Sequence, residues 1–187
     1  MFMRFILILT TLLLSACSQT PNSFIVSPDQ LVTTERQAYQ GGYNLSVVDS
    51  RSYRHVLQIN NGDEKQQLLS ANKPSDSLIA SSLEKALFHQ GFSQSATDNH
   101  SVKVSIEQML VKLDQTNFKF ETQTKIKLKI EVNAANKTLT KTFNTKAATH
   151  GPLQADIAVL ESEFNQLLGK LLDDIANDEQ IQQYLTL

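Results

Sequence analysis

Few side chains in this 187-residue chain could do covalent or metal chemistry: one cysteine, Cys17, and four histidines. His55, His89, His100 and His150 are scattered and lack the i, i+4 spacing with which a helix presents a zinc pair. Each is expected as an isolated side chain, with His150 in a turn before Gly151-Pro152. The acids Asp173, Asp174, Asp178 and Glu179 could attract a divalent cation. Beside a helix end they read instead as solvated charges or caps, and Asp173 and Asp174 are even unfavourable near a C-terminal dipole. Asp49-Ser50-Arg51 could form a functional loop at a strand end, but a local Asp/Arg turn accounts for it. The six glycines fall into no phosphate loop, dinucleotide fingerprint or G-x-S-x-G elbow. These spacings predict no catalytic residue, no metal site and no cofactor, hence a protein that is not an enzyme.

Charge recognition is the second chemistry the residues could support. Lys119, Lys125, Lys127 and Lys129 fall on alternate positions of one segment, so a strand there puts them all on one face. A solvated face explains such a ladder, and lysines also discourage sheets from pairing edge to edge. The functional alternative is a platform for anionic lipid headgroups, lipopolysaccharide phosphates or an acidic protein. The formal net charge of −2 makes nucleic acid a poor partner, because binding it draws on clustered Lys and Arg.

Cys17 closes the tetrapeptide Leu14-Ser15-Ala16-Cys17 directly after an apolar run from Phe5 to Leu14. Residues 1–16 carry one charge, Arg4, and have the layout of a secretory signal; they are too short for a membrane span of roughly 20 apolar residues. The segment resembles the lipobox of bacterial lipoproteins. That resemblance implies that Cys17 is lipidated on sulfur, becomes the new N-terminus and is then N-acylated. It also implies that Ser18, in place of an aspartate at the next position, sends the protein to the outer membrane, facing the periplasm. Two or three acyl chains on one residue give stable anchorage, each buried methylene contributing about 0.8 kcal/mol. Cys17 is the only cysteine, so the mature domain carries no disulfide and depends on its own core.

The expected organisation is a signal peptide over 1–16, a short lipidated tether over 17–23 and one domain over 24–187. Fully extended, residues 18–23 span only about 20 Å, which holds the body close to the bilayer. Phe24-Ile25-Val26 and Tyr43 to Val48 are strand-like, the latter with Tyr43, Leu45 and Val47 on one face. Val56 to Ile59 and Gln66 to Leu69 could form a hairpin about Asn61-Gly62. A helix is expected from a Ser75 cap to a left-handed Gly91, with Leu78, Ile79, Leu83, Ala86 and Leu87 as its apolar stripe. From Lys119 to Val132 apolar or threonine residues at even positions alternate with polar ones, which demands a half-buried strand. Val102 to Asp114 changes parity near Gln108, where a bulge is expected. Thr138 to Ala147 then pairs back through a turn at Ala134 to Lys137. A last long helix, Leu153 to Ala176, carries Ile157, Leu160, Phe164, Leu167, Leu168, Leu171 and Ile175, and a cap at Asn177 opens a short final helix. Together these predict an α+β fold: a two-layer sandwich of a mainly antiparallel sheet with two amphipathic helices packed on one face.

The short lipobox leader, Ile25-Val26-Ser27-Pro28, Val47-Val48-Asp49-Ser50-Arg51, the helix ending at Gly91-Phe92, the long alternating strands and the terminal Asp178-x-x-Ile181-x-x-Tyr184 together resemble the YajG family of Gram-negative lipoproteins over essentially the whole chain. The order and spacing of these motifs carry the resemblance. It implies a location and supplies no catalytic residues. The expected role is a non-enzymatic binding or assembly factor of the cell envelope, held to the membrane through Cys17 and contacting an envelope protein or anionic lipid. A self-associating structural lipoprotein is the alternative, and a cell-wall or lipid hydrolase the least supported reading.

Overall fold

The computed structural model describes residues 22–28, 38, 40–62 and 64–187. Among these residues seven strands and three helices follow one another as β1 (Gly41–Asp49), β2 (His55–Asn61), β3 (Gln67–Ser70), α1 (Ser75–His89), β4 (Phe92–Gln94), β5 (Ser101–Gln115), β6 (Lys119–Ala134), β7 (Lys137–Pro152), α2 (Ile157–Ala176) and α3 (Glu179–Leu185). The fold is α+β, as expected. Its sheet is not a flat layer, however: parallel pairings stand beside the long antiparallel β5–β7 run, so it is mixed, and it curls into a half-barrel.

The curl is organised by β5. Along one edge it pairs antiparallel with β6 over its whole length. Along the other it takes two short strands end to end, both parallel: β1 beside Ser101 to Ile106, then β2 beside Val111 to Gln115. β4 adds to β1, also in parallel. Period-two alternation places side chains on faces but is the same for either strand direction, which is why the parallel pairings are absent from the sequence reading. The expected bulge appears as a register shift between Ile106 and Gln108. It bends β5 where one parallel partner gives way to the next.

The β2–β3 hairpin forms as expected, with Gly62 at φ +56° in its turn. β6 and β7 are longer than expected and pair without interruption from Lys119↔Pro152 to Ala134↔Lys137. His150 consequently lies in strand β7, not in a turn. One face of β6 buries Ile126, Leu128, Ile130 and Val132, and these pack with Leu83, Phe164, Leu168 and Ile175 of the helices into one core.

Helix boundaries depart from expectation where a side chain finds a tertiary partner. Ser75 begins α1 but does not cap it; Pro74 stands at the cap position without a side-chain bond, and the Ser75 hydroxyl accepts from Arg51 at 2.9 Å. Leu153, at φ +63°, is incompatible with a right-handed helix, so α2 starts later, capped by Asp156. Asp178, not Asn177, caps α3 through the Ile181 amide. Gly91 ends α1 at φ +89° as predicted.

Phe24 forms one isolated parallel bridge to Ala71 in place of a strand. Side chains hold the segment that follows. Asn165 of α2 accepts from the Ser27 amide at 2.9 Å and donates to the Ile25 carbonyl at 3.0 Å, and Glu161 accepts from the Ile25 amide at 2.7 Å. The buried Phe24 ring meets Phe164 edge-on at 5.5 Å. The N-terminal arm thus lies along α2, in the helix layer.

Candidate functional site: the outer face of the long sheet

Alternation along β6 turns Lys119, Glu121, Gln123, Lys125, Lys127, Lys129 and Glu131 away from the core. The predicted ladder is real as a face, but its members are not equivalent. Lys127 reaches Glu107 on β5 at 2.8 Å. Lys129 reaches Glu131 on its own strand, also at 2.8 Å, an interaction that raises the Lys129 pKa and lowers that of Glu131. Both positive charges are therefore locally offset.

Lys125 is different. It stands directly opposite Lys146 of β7, and no carboxylate among the described residues lies within ion-pair distance of either. Cross-strand neighbours of like charge cost stability, so the face carries two adjacent uncompensated positive charges at this point. Lys146 could not be found from the sequence, because its position depends on the β6–β7 register, which no single segment encodes. Lys119 lies six residues from Lys125, roughly 20 Å along the strand, and belongs to a separate cleft of about 560 Å³ with Asn60, Asp114, Glu121 and His150. The structure thus brings Lys125, Lys127 and Lys129 together and sets Lys119 apart.

The Asp49-Ser50-Arg51 motif is a structural clasp. Arg51 is buried and donates to both carboxylate oxygens of Asp49, at 2.8 and 2.7 Å, to the Met109 carbonyl at 3.0 Å and to Ser75. Burial raises the Asp49 pKa, but the hydrogen bonds from Arg51 and Arg54 outweigh it and hold the carboxyl at about 2. The local reading of this motif therefore holds, with long-range contacts added.

The histidines occupy separate surroundings. His55 stacks on Tyr53 at 4.7 Å, and burial together with Arg51 lowers its pKa. His100 bonds Asp98 at 2.6 Å, and His150 faces outward opposite Glu121. Of the clustered acids, Asp178 caps α3 and pairs with Lys141. Among the described residues no group of three or more His, Cys, Asp or Glu is placed to hold a metal ion. The buried Tyr43 hydroxyl has no hydrogen-bond partner. Its burial, and then the charge of Glu84, raise its pKa. Cys17 lies outside the described residues. No helix among them is long and apolar enough to cross a membrane.

None of the curated proteins matches the chain significantly in sequence. Among solved structures, protein XCC0632 from Xanthomonas campestris, of family DUF330, superposes with a TM-score of 0.60 at 10% identity, over 87% of this chain and 97% of that one. At that identity the likeness shows a shared fold. An uncharacterised protein matches with a TM-score of 0.42 at 14% identity, over 81% of this chain and 99% of the other. The model of one family, described as uncharacterised lipoprotein, matches residues 31–186, and the chain therefore belongs to that lipoprotein family.

Proposed function

We propose that this protein is a non-enzymatic binding or assembly factor of the cell envelope, anchored by lipid on Cys17 to the periplasmic face of the outer membrane. The outer face of β5–β7, centred on Lys125 and Lys146, is its recognition surface. The carrying observation is that unneutralised lysine pair on a broad solvated sheet.

Membership of a lipoprotein family supports the anchor, as does the sequence around Cys17. The arm geometry supports a protein partner over a lipid one. The described chain begins along α2, while the lysines project from the opposite side of the sheet. A tether of at most about 20 Å draws the helix side toward the bilayer and leaves the lysine face toward the periplasm.

The test is cross-linking in intact cells with a C-terminally tagged full-length chain, with Cys17→Ala as the mislocalised control. A partner captured only with the anchor intact, and lost on Lys125→Glu plus Lys146→Glu, is the expected result. Cross-links identical in all three proteins would sink the reading.

A further inference from the structure

β7 is sixteen residues long and pairs on one side only; among the described residues nothing pairs with its other edge. The two-residue turn Ala135-Asn136 makes Ala134 and Lys137 a hydrogen-bonded pair. Bonded pairs then recur at every second residue, a parity matched by the Leu153 amide, which donates to the Phe118 carbonyl at 2.8 Å. The backbone amides and carbonyls of the even-numbered residues from Thr138 to His150 consequently point away from β6. Natural sheets blunt such an edge with lysines, proline, a bulge or a covering element, and of these β7 carries the lysines, which repel a like-charged strand and leave an acidic one admissible. β7 runs without a bulge, and its proline comes only at Pro152.

The chemistry of the edge selects its occupant. β7 carries Lys137, Lys141, Lys146 and His150 and no acid. A second copy of β7 would bring only more positive charge. Beside it the uncompensated Lys125–Lys146 pair needs an anion, and a residue added opposite Lys146 would stand about 5 Å away.

We propose that β7 receives an extended, acid-bearing segment of a partner protein, which joins the sheet as an eighth strand with its carboxylates on the face of Lys125 and Lys146. Main-chain bonds to the even-numbered residues supply affinity, and the lysines set sequence preference. This rests on the binding-factor reading above and names the kind of partner.

The probe is a peptide alternating valine and glutamate, long enough to span Thr138 to His150, with a valine–lysine peptide as its counterpart. The full-length lipidated chain is used in detergent, with binding read by fluorescence anisotropy and by hydrogen exchange of β7. The acidic peptide should bind and slow exchange at the even-numbered amides, and the basic one should not. Asn144→Pro removes an outward amide without taking a bond from β6, a placement edges tolerate, and should abolish binding. Lys146→Glu, on an exposed side chain that folding does not need, should weaken it roughly fivefold.

No binding of the acidic peptide, equal binding of both peptides, or binding indifferent to Lys146→Glu and Asn144→Pro would each overturn the proposal. So would self-association of the chain that disappears with Asn144→Pro, which would assign the edge to a second copy. If Asn144→Pro fails to fold, the Lys146→Glu variant and the peptide pair still decide. Cellular cross-links unchanged by Asn144→Pro but lost with the two lysine reversals would remove the edge while leaving the binding-factor reading intact; no anchor-dependent partner at all would remove that reading itself.

Discussion

The Arg51 guanidinium donates to the Met109 carbonyl at 3.0 Å, at the point where β5 passes from one parallel partner to the other. Pairing with β1 ends at Ile106 and pairing with β2 begins at Val111, so neither strand pairs at Met109 and a side chain serves its carbonyl. The same guanidinium holds Asp49 at the end of β1 and Ser75 at the start of α1. One buried residue thereby joins three elements, β1, β5 and α1. Arg51→Ala leaves the Met109 carbonyl without its side-chain donor and the nearly buried Asp49 carboxylate with only the exposed Arg54 as ion-pair partner. Breaking a buried pair in this way costs about 3 kcal/mol. Urea denaturation of the variant should show that loss at an unchanged slope, and Arg51→Lys should recover little of it because the fork geometry is gone.

Acid should weaken the same clasp in a defined window. The Asp49 carboxyl is lowered from 3.8 to about 2 in the folded chain. A depressed carboxylate contributes stability that is complete above its unfolded pKa and lost as pH falls through the folded one. Stability should therefore drop by about 2 kcal/mol between roughly pH 4 and pH 2, and Asp49→Asn should flatten that part of the profile in denaturation measured across the range.

The lysines of β6 should respond to reversal with opposite signs. Lys125→Glu replaces a like-charge cross-strand pair with an attractive one to Lys146, and should stabilise the domain by about 0.5 kcal/mol. Lys127→Glu sets a carboxylate against Glu107, now 2.8 Å from the lysine, and should destabilise by a similar amount. Thermal unfolding of the two variants at low salt compares them directly, and both shifts should shrink at high salt.

Asn165 should govern how the N-terminal arm is held. Its amide makes two bonds to the backbone at Ile25 and Ser27, and Asn165→Leu removes both while leaving a side chain of similar size. The expected loss is about 2 kcal/mol. Amide exchange at residues 25–27 should rise more than exchange in β5 or β6, since the loss is local to the arm.

Particular elements show which parts of this fold were legible in the sequence. The half-buried character of β6 was readable because alternation over so many residues has one cheap solution, a strand with a dry and a wet face. The β2–β3 hairpin, the bulge near Gln108 and the end of α1 at Gly91 were readable for the same kind of reason: each depends on local backbone preferences. Direction and partnership were not. Nothing in Gly41–Asp49 says that it runs parallel to β5, and nothing near Ser75 says that Arg51 will claim its hydroxyl.

The candidate site divides along the same line. The residues of the lysine ladder and the lipobox-like spacing before Cys17 were set by the sequence itself, since each depends on spacing within one segment. Which lysines are neutralised was decided only by tertiary structure. Glu107 is twenty positions from Lys127 and Lys146 is twenty-one from Lys125, yet strand register brings one acid and one base into place. The physical reason is that electrostatic interactions act through space over a few ångströms, whereas sequence patterns report only neighbours along the chain.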